Sequence, residues 1–106
     1  MEINNIPDAF QSKLRLMIIT ALFSGKKSFR ELKTLSGATD GNLSAQITNL
    51  EQMNFIIVEK EFIGKRPNTT CKITDIGEYS FRAYVDMLQK IISGTFPGQY
   101  INSDKN

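Results

Sequence analysis

The 106-residue sequence predicts an α+β fold that is mainly α-helical and contains one small β-hairpin. Apolar side chains recur at helical spacing along most of the chain, and a segment of β-branched and aromatic residues precedes the last helix. The length suits one domain with one core. A composition of 41% hydrophobic and 23% charged residues is typical of a globular protein.

The first half of the chain begins with an N-terminal arm, residues 1–11, which we expect to be irregular because it combines Asn and Pro with scattered apolar side chains. A first helix with a broad apolar face follows and is expected to stop at Gly25. Ser28 and Glu31 have the spacing of a capping box and predict a second helix that ends before Gly37. Its predicted inward residues are Phe29, Leu32 and Leu35.

A third helix is predicted over residues 39–53, with Thr39 as its N-cap. Leu43, Ile47 and Leu50 form its apolar stripe. At 100° per residue, the opposite face is small and polar. That face and its flanks consist of Gly41, Ala45, Thr48 and Gln52, with Asn42, Ser44 and Asn49 beside them. The helix contains no Lys or Arg.

A β-hairpin and a long helix complete the predicted domain. Residues 55–63 and 69–73 are its two strands, joined by a basic loop, 64–68, which we expect to be too long for a two-residue turn. The last helix, 75–93, carries an apolar stripe, and a polar tail, 94–106, is expected to be flexible. The stripe consists of Phe81, Tyr84, Val85, Leu88, Ile91 and Ile92.

Composition argues against several classes of function. With no histidine and one cysteine, the chain cannot assemble a Cys/His zinc site, and we expect neither a metal nor another cofactor. We expect the cysteine, Cys71, to pack in the core. The sequence has no nucleotide-binding loop, nucleophile elbow or kinase motif, so we name no catalytic residue and expect no enzyme. It also has neither a membrane-length apolar segment nor a signal peptide pattern, which predicts a cytoplasmic protein without membrane contact.

Positive charge is concentrated in two places, although the net charge is only +2. Lys26, Lys27 and Arg30 surround the start of the second helix, where the helix dipole also favours a phosphate. Lys65 and Arg66 lie in the hairpin loop. Such clusters occur on nucleic-acid-binding surfaces and equally on ordinary solvated faces, so neighbouring motifs must decide between the two.

The predicted order of elements is that of a winged helix-turn-helix domain, here over residues 12–74, followed by an added C-terminal helix. The third helix begins T-D-G-N-L-S at 39–44, and the hairpin contains G-K-R-P-N-T at 64–69. Over about residues 9 to 92 the chain resembles winged helix-turn-helix transcriptional regulators of the MarR/ArsR-like class. It is most similar to a short group with T-D-G-N-L-S and G-x-R-P-x-T motifs.

The resemblance implies a homodimeric regulator that binds double-stranded DNA. Helix 39–53 would enter the major groove, and the wing, 64–68, would lie on the backbone or in the minor groove. The predicted DNA-binding residues are Lys26, Lys27, Arg30, Thr39, Gly41, Asn42, Ser44, Ala45, Thr48, Asn49, Lys65 and Arg66. The residues predicted to form the dimer are Phe10, Leu16, Ile19, Phe81, Tyr84, Val85, Leu88, Ile91 and Ile92. An apolar surplus on the first and last helices independently favours a dimer.

Two alternatives stay open at this point. Relatives commonly carry a basic residue just after Leu-Ser in the third helix, whereas this chain has Ala45-Gln46. A winged-helix module that binds protein instead of DNA would also tolerate such a helix. A regulator with a small-molecule effector in its dimer cleft is equally compatible with the sequence, because an apolar pocket and a packed core use the same side chains.

Overall fold

The computed structural model describes residues 1–94, and the predicted tail, apart from its first residue, lies outside them. The chain forms the predicted α+β fold, with helices packed around a three-stranded antiparallel sheet. The helices are α1 (Lys13–Leu22), α2 (Phe29–Ser36), α3 (Asp40–Gln52) and α4 (Asp75–Ile92), and the strands are β1 (Lys27–Ser28), β2 (Ile56–Ile63) and β3 (Arg66–Ile73). Short 3-10 helices occupy Ile3–Asn5 and Asp8–Phe10.

Side-chain caps define where the helices begin. The predicted capping box is present: Ser28 Oγ accepts from the Glu31 amide at 3.0 Å, and Glu31 accepts from the Ser28 amide at 2.8 Å. Thr39 Oγ1 accepts from the Asn42 amide at 3.2 Å, so Thr39 is the N-cap of α3 as predicted. Gly37 ends α2 with a left-handed φ of 69°, a conformation that favours glycine.

The core is built mainly from the inward faces of α1 and α3. Its completely buried members include Ile18, Ile19, Leu22, Leu32, Leu43, Leu50 and Ile56. One inward prediction is wrong: Leu35 is 58% exposed, because α2 is short and only its Leu32 side reaches the core.

The N-terminal arm contributes to this core more than its sequence indicated. Ala9 and Phe10 are buried, and the Phe10 ring stacks on Tyr84 with ring centroids 4.9 Å apart. Phe10 also contacts Phe55 and Phe81. Phe10 and Ile19, two of the residues predicted to form the dimer, are both enclosed within their own chain, so they would support a partner subunit only from beneath its contact surface.

The sheet differs from the prediction at both ends. Strand β1 was not predicted; it is only two residues long and pairs with β3, so the strand order is β1-β3-β2. The expectation of a long loop over 64–68 is also wrong, since only Gly64 and Lys65 separate the paired strands. Gly64 allows this tight turn with a φ of 66°. Pro67 is opposite Phe62, in the second residue pair from the turn. In a two-residue hairpin the two residues of this pair are not hydrogen-bonded to each other, so a proline, which has no N–H, is tolerated there.

The end of α3 is fixed to the start of α4. Asn54 adopts a left-handed φ of 63°, and the Phe55 amide donates to the Leu50 carbonyl at 3.0 Å, which completes a Schellman ending. Thr74 Oγ1 donates to the Asn54 carbonyl oxygen at 2.7 Å. A side chain at Gly77 would collide with the Phe55 carbonyl, so α4 packs closely on this turn. These contacts hold the end of α3 against the junction between β3 and α4.

Candidate nucleic-acid interface

Helix α3 has one face held in the core and one face open to solvent. Leu43, Ile47 and Leu50 are buried, and losing such contacts costs several kcal/mol per large side chain, about 2–5. On the opposite side the helix is exposed along its whole length. The exposed residues of this outer arc are Gly41, Ala45, Thr48 and Gln52. The helix is thus rigidly held while its outer arc is free for a ligand.

One flank of α3 lines a cleft between the helix and the hairpin. Ser44 and Thr48 both face this cleft, which has a volume of about 520 Å³. Lys60 lines it from β2, whereas Asp40 and Glu51 line it from α3 itself. The Asp40 carboxylate is paired with Lys33 Nζ at 2.7 Å. The cleft therefore combines apolar side chains with polar groups of mixed charge, and these polar groups suit hydrogen bonding better than simple attraction of an anion.

The other flank of α3 faces α1 and contains a side-chain network. Arg15 Nη1 donates to Gln46 Oε1 at 2.7 Å, and Asn49 Nδ2 donates to the same oxygen at 3.3 Å. Arg15 Nη2 also donates to the Asp8 carbonyl oxygen at 3.1 Å. Neither Arg15 nor Gln46 was predicted as a site residue. Arg15 is far from α3 in sequence, and helical periodicity alone gives no indication that its head group reaches across.

The two basic clusters meet at one place. Arg30 from α2 and Arg66 from the hairpin line the same depression, about 440 Å³ in volume. Lys26, which precedes Arg30 in the sequence, is also exposed. Lys27 Nζ, by contrast, donates to Ser24 Oγ at 3.3 Å and to the Gly25 carbonyl at 3.4 Å, so its ammonium is partly engaged. Arg30 and Arg66 therefore form a cationic pair where α2 meets the wing.

The wing tip, residues 62–68, extends beyond the core. Lys65 and Arg66 are exposed there, as predicted. Phe62 and Ile63 are also exposed, at 74% and 63%. Within residues 1–94, the hairpin extends past the last core residue of β2, so the side chains of its distal half are left exposed. The tip thus combines positive charge with apolar surface.

The remaining predicted dimer residues lie on two surfaces. On α4, Leu88 is 39% and Ile92 is 85% exposed, while Val85 and Ile91 are half-buried. Phe81 and Tyr84 pack on Phe10 within the chain and are only partly exposed. On α1, Leu16 lines an apolar groove of about 580 Å³ together with Met17, Ala21 and Leu35.

Cys71 is enclosed in the sheet and has no exposed thiol. Its residue is 1% exposed, and burial, with a smaller contribution from the Glu51 carboxylate, raises the pKa of the thiol to about 11. A high pKa and burial both disfavour the reactive thiolate.

Within residues 1–94, no group of three or more His, Cys, Asp or Glu side chains is placed to hold a metal ion. No helix in this range is long and apolar enough to cross a bilayer.

Comparison with known proteins agrees with this architecture. The sequence profile of a family described as winged helix DNA-binding domain matches residues 14–92. An uncharacterized protein of Methanocaldococcus jannaschii is 34% identical over 77 residues, which cover 72% of this chain and 84% of that protein.

Solved structures give the same result. The structure of a transcriptional regulator homologue from Pyrococcus horikoshii OT3 superposes with a TM-score of 0.74 at 29% identity, covering 81% of this chain and 86% of that one. A protein from Enterococcus faecalis V583 assigned to the MarR family of transcriptional regulators superposes with a TM-score of 0.75 at 22% identity. That match covers 86% of this chain and 83% of the other.

Proposed function

The chain belongs to the family of winged helix DNA-binding domains, and from that premise we propose that it is a sequence-specific transcriptional regulator that binds double-stranded DNA as a homodimer. Helix α3 enters the major groove, and the wing tip lies against the backbone or minor groove of the flanking DNA. The protein acts in the cytoplasm, performs no catalysis and needs no cofactor for this role.

The observation that carries the proposal is the division of α3 into a buried face and a small, polar outer arc. A B-DNA major groove is wide enough for an α-helix, and small outward side chains let the helix backbone approach the base edges closely. Gly41 and Ala45 leave room for a base pair or a thymine methyl group. Asn42, Ser44, Thr48 and Asn49 supply hydrogen-bond donors and acceptors for base edges or phosphates.

Attraction for the phosphates comes from outside α3. The helix has two acidic residues and no basic one, and one of the acids, Asp40, is neutralised by Lys33. Arg30 and Arg66 provide positive charge on the side where the wing meets α2. Lys26, Lys27 and Lys65 are close to them in the sequence and add to this charge. Guanidinium groups suit this task because they bind phosphate through two parallel hydrogen bonds. Phosphate contacts here would set the position of α3 in the groove.

The apolar side chains of the wing tip suit a minor groove. Proteins that bind there often place Phe or Ile against sugars or between base steps, beside Arg or Lys. Phe62 and Ile63 stand next to Lys65 and Arg66 and are exposed in the same way.

A homodimer would cover the apolar side chains that the single chain leaves exposed. The proposed surface comprises Leu16 on α1 and Val85, Leu88, Ile91 and Ile92 on α4, with partial contributions from Phe81 and Tyr84. In a two-fold dimer, the two α3 helices would contact half-sites about 10 base pairs apart from centre to centre, so the operator would be pseudo-palindromic.

Titration of a labelled duplex tests the proposal. The duplex from upstream of the protein's own gene is followed by fluorescence anisotropy between 50 and 200 mM salt, a range over which phosphate contacts change affinity strongly, by roughly 10³-fold or more for six such contacts. The proposal predicts saturable binding of the labelled duplex. An unlabelled duplex of scrambled sequence should compete with it only weakly. Failure to bind any duplex at the lowest salt would contradict it and favour the alternative, a winged-helix module that binds protein.

A further inference from the structure

The flank of α3 that faces α1 connects the interior of the domain to the candidate interface. Arg15 is largely buried, with 14% of its side chain exposed, and it contacts Gln46 at 2.7 Å. Gln46 in turn contacts Asn49 at 3.3 Å, one turn further along α3. Asn49 is half-buried and is one of the residues placed in the proposed DNA interface. A line of hydrogen bonds therefore runs from Arg15 to that interface.

The donors and acceptors in this line determine which end of the Gln46 and Asn49 side-chain amides, the oxygen or the nitrogen, points to each neighbour. A guanidinium has donors only, so Gln46 must present its oxygen to Arg15. That oxygen has two lone pairs, and the second accepts from Asn49. Since Asn49 meets an acceptor, it must turn its Nδ2 inward, which leaves its Oδ1 free to face away from the network.

The Arg15 head group has few other partners to replace Gln46. Its Nη2 donates to the Asp8 carbonyl at 3.1 Å, the Asp8 carboxylate is 3.9 Å away, and the buried Nε has no partner among residues 1–94. A charged donor that loses its acceptor in a buried place is costly. The bond between Arg15 and Gln46 is therefore the strongest restraint on the Gln46 side chain.

We propose that Arg15 is a positioning residue which, through Gln46, presents Asn49 to the DNA with its Oδ1 and the second Nδ2 hydrogen outward. This pair of groups matches the acceptor and donor edge that adenine presents in the major groove. The inference rests on the proposed function and adds to it a preferred base, adenine, at one position of each half-site. Arg15 itself touches no DNA in this proposal.

The test measures base preference, because a merely structural role for Arg15 would alter affinity for all sequences alike. Duplexes are made that carry adenine or guanine at one operator position and are otherwise identical, and this is repeated for each position. The ratio of the affinities for the two duplexes of each pair is then measured for the wild type and for the variants. We expect a preference on the order of tenfold at one position. Arg15→Met and Gln46→Leu should reduce this ratio to near one. Arg82→Met, which removes an exposed arginine on α4, is the matched control and should leave it unchanged.

Gln46→Glu is the conservative rescue, because a carboxylate accepts from both Arg15 and Asn49. It should keep the adenine preference even if the added charge weakens binding overall. The side-chain amide signals of Asn49 in NMR spectra give a readout without DNA: they should shift in Arg15→Met and not in Arg82→Met.

The outcomes separate this inference from the proposed function. A wild type that binds its operator selectively, with the same adenine preference in Arg15→Met and Gln46→Leu, overturns the positioning role alone. A wild type that binds no duplex overturns both. If Arg15→Met fails to fold, Gln46→Leu, which keeps the buried arginine, decides the question.

Discussion

Helix α3 and the wing tip have opposite physical characters. The helix is capped at its start, packed into the core along one face and free of Lys and Arg. The wing tip projects from the sheet, carries Lys65 and Arg66, and exposes Phe62 and Ile63. A rigid, polar helix suits discrimination among bases, whereas an exposed cationic loop suits attachment to any phosphate backbone. The proposed function assigns these two tasks to different elements of the chain.

The largest expected effect concerns the buried side of α3. Leu43→Ala would leave a cavity in the core and should lower the free energy of unfolding by about 2–5 kcal/mol. Thr48→Ala, on the exposed arc of the same helix, should change it by less than about 0.5 kcal/mol. Urea denaturation followed by circular dichroism measures both. Equal losses for the two variants would show that α3 does not have separate structural and binding faces.

The next effect concerns the wing tip. Arg66→Ala should weaken binding to all duplexes and reduce the slope of log affinity against log salt by about one unit, because one phosphate contact is lost. Arg82→Ala has the same change of charge and serves as the control. A salt slope identical to that of the wild type would remove Arg66 from the phosphate contacts.

Thr48→Ala should affect DNA binding in a different way from Arg66→Ala, by changing the choice among sequences and not the dependence on salt. If Thr48 contacts a base edge from the major groove, its loss should change the ranking of operator variants while leaving the salt slope unchanged. Competition titrations with single-base operator variants measure the ranking. A uniform loss of affinity with a shallower slope would instead assign Thr48 to a phosphate contact.

A smaller effect is expected at the start of α3. Thr39→Ala removes the N-cap hydrogen bond and should cost about 1 kcal/mol of stability. Thr39→Ser keeps a hydroxyl and should retain most of that stability and the same base preference. If the serine variant were as unstable as the alanine variant, the threonine methyl group, not the cap, would be responsible.

The last expected effect is a loss of folding stability that is linked to Cys71 and confined to alkaline pH. The pKa of Cys71 is raised in the folded protein to about 11, so the neutral thiol is favoured by folding. Its contribution to stability is complete below the pKa of the unfolded thiol and is lost as pH rises through about 11. Native protein at pH 8 should therefore react with iodoacetamide far more slowly than denatured protein. Equal rates would contradict the burial of this thiol.

The sequence predicts most of the fold because its signals are local. Caps such as Ser28 and Thr39 and the glycine at 37 mark helix ends through contacts within a few residues. Features that depend on distant packing were missed. Strand β1 forms only because β3 lies beside it, and Phe10 is buried only because α4 supplies aromatic neighbours.

The same distinction applies to the site. The outer arc of α3 and the basic residues at 65 and 66 follow from helical periodicity and turn composition. The contact between Arg15 and Gln46 does not, because it joins residues 31 positions apart in the chain. The exposure of Phe62 depends on where the core ends, which a strand pattern of alternating residues does not specify.

An NMR titration of the isotopically labelled protein with its operator duplex tests the division of tasks most directly. Backbone amide shifts should concentrate in residues 41–49 and 62–68, with Arg66→Ala reducing the second group and preserving the first. Shifts confined to α4 and the groove on α1, with α3 unaffected, would contradict the account, because the duplex would then occupy the surface proposed for the partner subunit.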